Sequence, residues 1–295
     1  MKKQINIWIE AIRLRTLPVS ASGVIIGAGL AFWMNRFSWI PAVVCLVFAI
    51  MAQIVSNLAN EYYDFLKGTD KAGRVGPRRG VTEGDIAPET LRRVMIVVLA
   101  LTMLVGCALI PYGGWKLVLV GAFIAIGALA YSTGPYPLSY HGLGELAVFI
   151  FYGIIPVNFT FYVVAGHFSV VAFLASLTIG FMGVNVLLVN NYRDEPDDRQ
   201  AGKLTSVVIF GRKPAAAAYL INGYVAVALL SPLWLTMAVT GKWWVLIAPL
   251  VYLGMHTHVW WQLTRRDGAE LNPLLGATAR NMLIFTFLLI VTLLV

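Results

Sequence analysis

A chain of 295 residues that is 59% hydrophobic and only 12% charged, with a formal net charge of +8, lacks the polar exterior of a soluble domain, in which about a quarter of residues carry charge. Long apolar runs parted by short charged segments predict an all-α polytopic membrane protein. Cys45 and Cys107 both sit in apolar runs and are expected as buried thiols, not as a disulfide or metal pair, and His256 and His258, two apart, fall on different helix faces.

The chain opens with "INIWIEAIRLRTLP" behind Lys2 and Lys3. Glu10, Arg13 and Arg15 interrupt the apolar stretch that a secretory signal needs, so the segment reads as an amphipathic lead-in at the membrane surface. Nine segments are then expected to span: 17–35, 39–60, 92–111, 115–132, 144–165, 169–190, 214–238, 243–262 and 275–295. Arg280, near the start of the last, can snorkel to the interface.

The connections alternate. The N-terminus and segments 61–91, 133–143, 191–213 and 263–274, with adjoining helix ends, hold all but Arg36, Lys116 and Lys242 of the 22 basic residues. Excess Lys and Arg marks cytoplasmic loops. The expectation is a multi-pass protein of the inner (cytoplasmic) membrane, N-terminus inside and Val295 outside. All 14 acidic residues fall on that cytoplasmic side too, which the charge rule does not require.

The acids gather in two places. In "NLANEYYDFLKGTDKAGRVGPRRG", Asn60 and Asp64 are four apart and share a helix face, and Asp70 follows Gly68. In "NNYRDEPDDRQAGK", Asn190, Asp194 and Asp198 repeat the four-residue spacing. Each cluster presents an amide and carboxylates at the mouth of a helical bundle. Hard oxygen donors of this kind suit Mg²⁺, which keeps coordination sites for phosphate oxygens. Lys67, Arg74, Arg78, Arg79, Arg193, Arg199 and Lys203 are candidates to bind the phosphates themselves. One such motif in a charged loop is commonly accidental; two at equivalent helix ends point to a Mg²⁺-diphosphate site facing a membrane bundle.

Between the clusters lies "YSTGPYPLSYHGLGE", a Gly- and Pro-rich loop. Tyr131 ends a span at the level of the acidic mouths, where its ring could steady a cation. Asn158 and Asn185 read as amides bonding neighbouring helices.

The segments "RLRTLP", "NLANEYYDFLKGTD", "GPRRGVTEGDI", "YSTGPYPLSYHGLGE" and "NNYRDEPDDRQAGKLT" together resemble the UbiA family of intramembrane prenyltransferases, and within it the branch that prenylates 1,4-dihydroxy-2-naphthoate for menaquinone. The resemblance spans essentially the whole chain and implies one prenyltransferase domain over residues 1–295, with nine helices around a central lipid-accessible cavity. It implies that Asn60, Asp64 and Asp70 form the first Mg²⁺-diphosphate motif, that Asn190, Asp194 and Asp198 form the second, and that Lys203 lies near the diphosphate. Glu61 stands where many relatives have Asp and others have no acid, so it is not expected as an essential ligand.

The resemblance further implies transfer of a polyprenyl group from polyprenyl diphosphate to 1,4-dihydroxy-2-naphthoate, with loss of diphosphate and CO₂ to give demethylmenaquinone. Mg²⁺, membrane lipid and the two substrates are the expected partners, and nucleic acid is not among them. Asp64, Asp194 and Tyr131 are the expected catalytic residues; Lys67, Arg74, Arg78, Arg79, Arg193 and Lys203 are the expected diphosphate binders. Two alternatives stay open: another acceptor such as 4-hydroxybenzoate, homogentisate or the vitamin K ring, and an organic-anion transporter. A transporter should carry its charged site near the midplane, and no acid lies mid-span.

Overall fold

Apolar chain in hydrocarbon must satisfy its own backbone hydrogen bonds, which favours helices. The computed structural model describes residues 2–71 and 73–295. Among them the chain is all-α, with one isolated bridge between His141 and Leu204 and no strand. The helices are α1 (Lys2–Ile12), α2 (Leu17–Trp33), α3 (Trp39–Leu66), α4 (Pro88–Cys107), α5 (Ile110–Gly113), α6 (Leu117–Ala130), α7 (Gly144–Val148), α8 (Ile155–Ala165), α9 (Val170–Gln200), α10 (Ser206–Phe210), α11 (Arg212–Leu229), α12 (Ser231–Val239), α13 (Ile247–Leu263) and α14 (Asn272–Leu294). A π-helical turn, Phe149–Ile154, joins α7 to α8.

Among the described residues, six stretches are long and apolar enough to cross a bilayer: Ile5–Trp33, Trp39–Leu66, Pro88–Cys107, Gly144–Ala165, Val170–Gln200 and Gly268–Leu294. The pair α11 and α12, bent by 46°, makes a seventh if taken as one span. The nine-span expectation is therefore met only in part. The segments expected at 115–132 and 243–262 are helical but short, with 14 residues in α6 and 17 in α13. At about 1.5 Å per residue these reach roughly 21 and 26 Å, less than a hydrocarbon core of about 30 Å. A 3₁₀ turn at Trp243–Leu246 uses up the start of the latter.

Helix α9 is the axis of the bundle. It packs against α2, α8, α11, α14 and the π turn, and its core face carries Ala175, Ile179, Met182 and Val189. At the π turn the backbones nearly touch: a Cβ on Gly153 would lie 2.4 Å from the Gly180 Cα, so both positions need glycine. Helix α4 is peripheral, with 17% of its most apolar stretch buried against 61% for α9. A smaller core, with Ile7, Ala11, Leu58, Val81, Ile86 and Leu91, fastens α1 and loop 67–87 onto α3 and α4. Ile5 and Ile9 stay exposed on α1.

The amides in the bundle behave as structural groups. Asn185 Oδ1 accepts from Asn222 across α9 and α11 at 3.2 Å, whereas Asn158 Nδ2 bonds its own helix at Ile154 O, 2.8 Å, and not a neighbour. Both cysteines are free; Cys45 is buried, but Cys107, at the end of the peripheral α4, is exposed, contrary to expectation.

Candidate active site

At about 1.5 Å per residue, the 31 residues of α9 extend to roughly 46 Å, more than a bilayer core requires. Helix α3, with 28 residues, also exceeds it. The surplus turns carry the acids: Asn60 and Asp64 close α3, and Asn190, Asp194 and Asp198 close α9. Asn60, Asp64, Asp194 and Asp198 are buried within the protein, and Asn190 is half-buried. Both ends face one cavity of about 430 Å³. Asn60, Asp64, Asp70, Arg74, Asp194 and Lys203 line its mouth, and Val24, Phe48, Ile124, Phe159 and Val163 line its apolar bore. Tyr131 is also on the wall.

The clusters are built alike. Asn60 Nδ2 donates to Asp64 Oδ2 at 2.9 Å, and Asn190 Nδ2 lies 3.4 Å from Asp194 Oδ2. Each amide oxygen accepts from an arginine: Asn60 Oδ1 from Arg13 Nη2 at 2.7 Å, and Asn190 Oδ1 from Arg193 Nη2 at 2.9 Å. Arg193, with a side chain 1% exposed, also grips Asp194 through Nε at 2.7 Å and Nη2 at 2.8 Å. Its Nη1 reaches Asn272 Oδ1 at 3.2 Å.

The clusters are also cross-linked. Arg74, from the first loop, donates through Nη2 to Asp194 Oδ2 at 2.8 Å, and its Nη1 lies 2.9 Å from Asp70 Oδ1. Lys203, from the second loop, lies 3.5 Å from Asp64 Oδ2 and 3.7 Å from Asp198 Oδ1. Arg79 Nε donates to Asp70 Oδ2 at 3.1 Å. Burial opposes the Lys203 charge, but Asp64 and then Asp198 outweigh it and hold the ammonium above the ordinary lysine range. Burial likewise opposes the Arg74 charge, and Asp194 and Asp70 more than restore it. Arg79 is lowered by burial and by neighbouring Arg74.

Several expected residues lie elsewhere. Lys67 is exposed and does not line the cavity; its Nζ donates to Ser132 O at 2.8 Å and sits 3.9 Å above the Tyr140 ring. Arg193, buried, does not line it either and is spent on Asp194 and Asn190. Arg78 is 45% exposed and pairs with Asp85, and Arg199 pairs with Glu195; neither lines the cavity. Glu61 is fully buried beneath loop 79–86, where its Oε1 accepts from Val81 N at 3.3 Å.

Other residues enter that motif reading did not single out. Tyr140 OH donates to Asp64 Oδ1 at 2.8 Å and lies 2.6 Å from Thr69 Oγ1. Burial and the Asp64 carboxylate raise its pKa above the usual phenol value. Ser132 Oγ accepts from Asn60 at 3.2 Å. Arg13 reaches the site from a left-handed kink, φ 57°, between α1 and α2. That backbone costs a non-glycine residue roughly 1–2 kcal/mol. The "RLRTLP" motif was a signal for Arg13, but it assigns no partner.

Among the described residues, no three His, Cys, Asp or Glu side chains converge as a ready-made metal cage. The physical reason is visible: Arg74 and Lys203 stand between the carboxylates. The donor set still fits Mg²⁺, which uses one or two carboxylates and takes its other ligands from water and phosphate. Asp64, Asp70, Asp194 and Asp198 all line the cavity. The two amide oxygens are already engaged by arginines, which makes Asn60 and Asn190 clamps on the carboxylates in this arrangement.

The comparisons agree with this architecture. The UbiA prenyltransferase family model matches residues 22–293. The chain is 32% identical to the 1,4-dihydroxy-2-naphthoate octaprenyltransferase of Escherichia coli (strain K12), covering 96% of this chain and 93% of that one. It is 35% identical to the Mycobacterium tuberculosis protein of the same name, over 94% and 93%. A UbiA homolog from Archaeoglobus fulgidus, solved with GPP and Mg²⁺, superposes with a TM-score of 0.66 at 16% identity over 98% of this chain and 100% of that one. With the family model running nearly end to end and relatives above 30% identity over almost the whole length, this chain is a member of the UbiA prenyltransferase family.

Proposed function

We propose that the protein transfers a polyprenyl group from polyprenyl diphosphate to 1,4-dihydroxy-2-naphthoate, releasing diphosphate and CO₂ to give the quinol form of demethylmenaquinone. The observation that carries this reading is one cavity with a charged mouth and an apolar bore. A diphosphate with a long hydrocarbon tail matches both ends. The relatives, 1,4-dihydroxy-2-naphthoate octaprenyltransferases by name, supply the acceptor.

Asp64, Asp70, Asp194 and Asp198 would hold Mg²⁺ against the diphosphate, with Asn60 and Asn190 setting their orientation. When bound, Mg²⁺ supplies charge neutralisation that makes diphosphate a better leaving group. Arg74, Arg79 and Lys203 share that load through charge-assisted hydrogen bonds. C–O cleavage leaves an allylic cation in the bore, where apolar walls exclude water and the Tyr131 ring offers its face. The ring carbon bearing the acceptor's carboxylate attacks, and CO₂ departs.

The remaining topology belongs to the same proposal: a single domain over residues 1–295, nine spans with α6 and α13 as short ones, the mouth facing the cytoplasm of an inner-membrane protein, and Val295 outside. The basic-residue asymmetry supports it. Purified protein supplied with one labelled polyprenyl diphosphate and several aromatic acceptors tests the function. Labelled demethylmenaquinol, read as the quinone after oxidation in air, is expected; product only with 4-hydroxybenzoate or homogentisate would move the acceptor assignment.

A further inference from the structure

Arg74 and Lys203 occupy equivalent positions. Each comes from the loop of one cluster and stands between one carboxylate of the first and one of the second: Arg74 between Asp70 and Asp194, Lys203 between Asp64 and Asp198. Both are held incompletely. The Arg74 side chain is 10% exposed, and its buried Nη1 lies close to Asp70 without the alignment of a hydrogen bond. The Lys203 ammonium is no nearer than 3.5 Å to either carboxylate. Two mostly buried cations with unspent N–H groups thus face the cavity. Each also blocks its carboxylate pair from converging on a metal ion.

We propose that Arg74 and Lys203 are resident counter-ions of the donor-free protein. They neutralise the carboxylates until a diphosphate arrives, then turn their free N–H groups to its oxygens and release the carboxylates to the metal. Metal and diphosphate therefore bind together and not in isolation. This inference rests on the Mg²⁺-diphosphate reading above and adds to it an order of events and a division of labour. Two cations that belong to the protein, and not to the solvent, keep the mouth charge-balanced in both states. An isolated charge would otherwise be buried at each turnover, at high cost. The guanidinium suits its role, since its planar fork meets carboxylate and phosphate oxygens with the same geometry.

The test measures protein-bound Mn²⁺ by electron paramagnetic resonance on the purified full chain, with and without inorganic diphosphate. In the wild type, diphosphate should tighten Mn²⁺ binding at least about tenfold, because a pair free of its counter-ion a tenth of the time shows a tenfold weaker apparent affinity. Arg74→Met and Lys203→Met should each bind Mn²⁺ alone at least about tenfold more tightly than the wild type, with a smaller gain from diphosphate. Folded variants with unchanged or weaker Mn²⁺ binding overturn the proposal, and so does a wild type that binds Mn²⁺ equally with and without diphosphate, a reading that needs no variant. A wild type that takes up Mn²⁺ in neither condition overturns the Mg²⁺-diphosphate reading itself.

Discussion

The two acidic clusters make the same unit by different routes. In both, an asparagine clamps the aspartate four residues on, and an arginine holds the asparagine oxygen. In the second cluster that arginine, Arg193, is on the same helix, three residues away. In the first it is Arg13, 47 residues away, reaching across from a strained kink. The second cluster is encoded locally by α9; the first exists only after α1, α2, α3 and loop 131–143 have assembled. A locally encoded site should tolerate disturbance of the bundle, whereas an assembled one should fail with any of its suppliers.

The largest expected effects come from the carboxylates. Asp64→Asn and Asp194→Asn should each lower turnover by about 10²–10³-fold, the usual scale for losing one group that stabilises developing charge. The alanine variants separate the clusters by stability. Asp194→Ala takes from the buried Arg193 its carboxylate partner and leaves Arg74 with Asp70 alone, and unpairing a buried charge costs about 3–5 kcal/mol. Asp64→Ala leaves Lys203 with Asp198 and should cost less. Denaturation in detergent reads the difference; a more fragile Asp64→Ala would reverse the comparison.

Next in size is the donor and acceptor split at Lys203. Lys203→Ala should weaken the donor's apparent affinity roughly tenfold to a hundredfold, corresponding to about 1.5–3 kcal/mol for a lost charge-assisted bond. Acceptor affinity should change little. A loss confined to the acceptor would assign Lys203 to the naphthoate carboxylate.

The supplier of the first cluster comes third. Arg13→Met should leave Asn60 Oδ1 unpaired, costing about 1–3 kcal/mol of stability, which denaturation in detergent reads. Glu61 gives a finer cut: Glu61→Gln keeps an acceptor for Val81 N and should remain within about 1 kcal/mol of wild-type stability, whereas Glu61→Ala should lose about 1–3 kcal/mol. Chemical unfolding of the pair decides it, and equal losses would show that the Val81 contact is not what Glu61 provides.

The smallest effect concerns pH. The Lys203 value is raised by folding, so its contribution to stability is complete below the ordinary lysine value of about 10.4 and is lost only as pH climbs through the raised one. The ratio of donor affinities between wild type and Lys203→Ala should therefore hold within about twofold from pH 7 to 9. A ratio that collapses toward pH 9 would mean that Lys203 titrates there.

What could be read in the sequence follows the same division. Asn190, Asp194 and Asp198 repeat every four residues on one helix, so their common face follows from helix geometry alone. The apolar runs likewise exposed the helical bundle. Tyr140, Ser132 and Arg13 escaped because their partners lie 76, 72 and 47 residues away, and no periodicity encodes a contact at that range. Arg78 was misplaced for the opposite reason: it adjoins Arg79 in sequence, yet Arg79 turns in toward Asp70 and Arg78 turns out to Asp85. Helix α13 fell short because hydropathy marks where apolar chain lies and not where a 3₁₀ turn shortens it.

The reciprocal pairing of Arg74 with Asp194 and Lys203 with Asp64 has a consequence for the gene as well as for the site. A cut at the Gly166–Ser169 turn, between α8 and α9, yields two fragments, each with acids whose counter-charge lies on the other. Expressed alone, each should be degraded. Expressed together, they should find one another, because each completes the other's electroneutrality, and a split protein should recover prenyl transfer that neither piece retains.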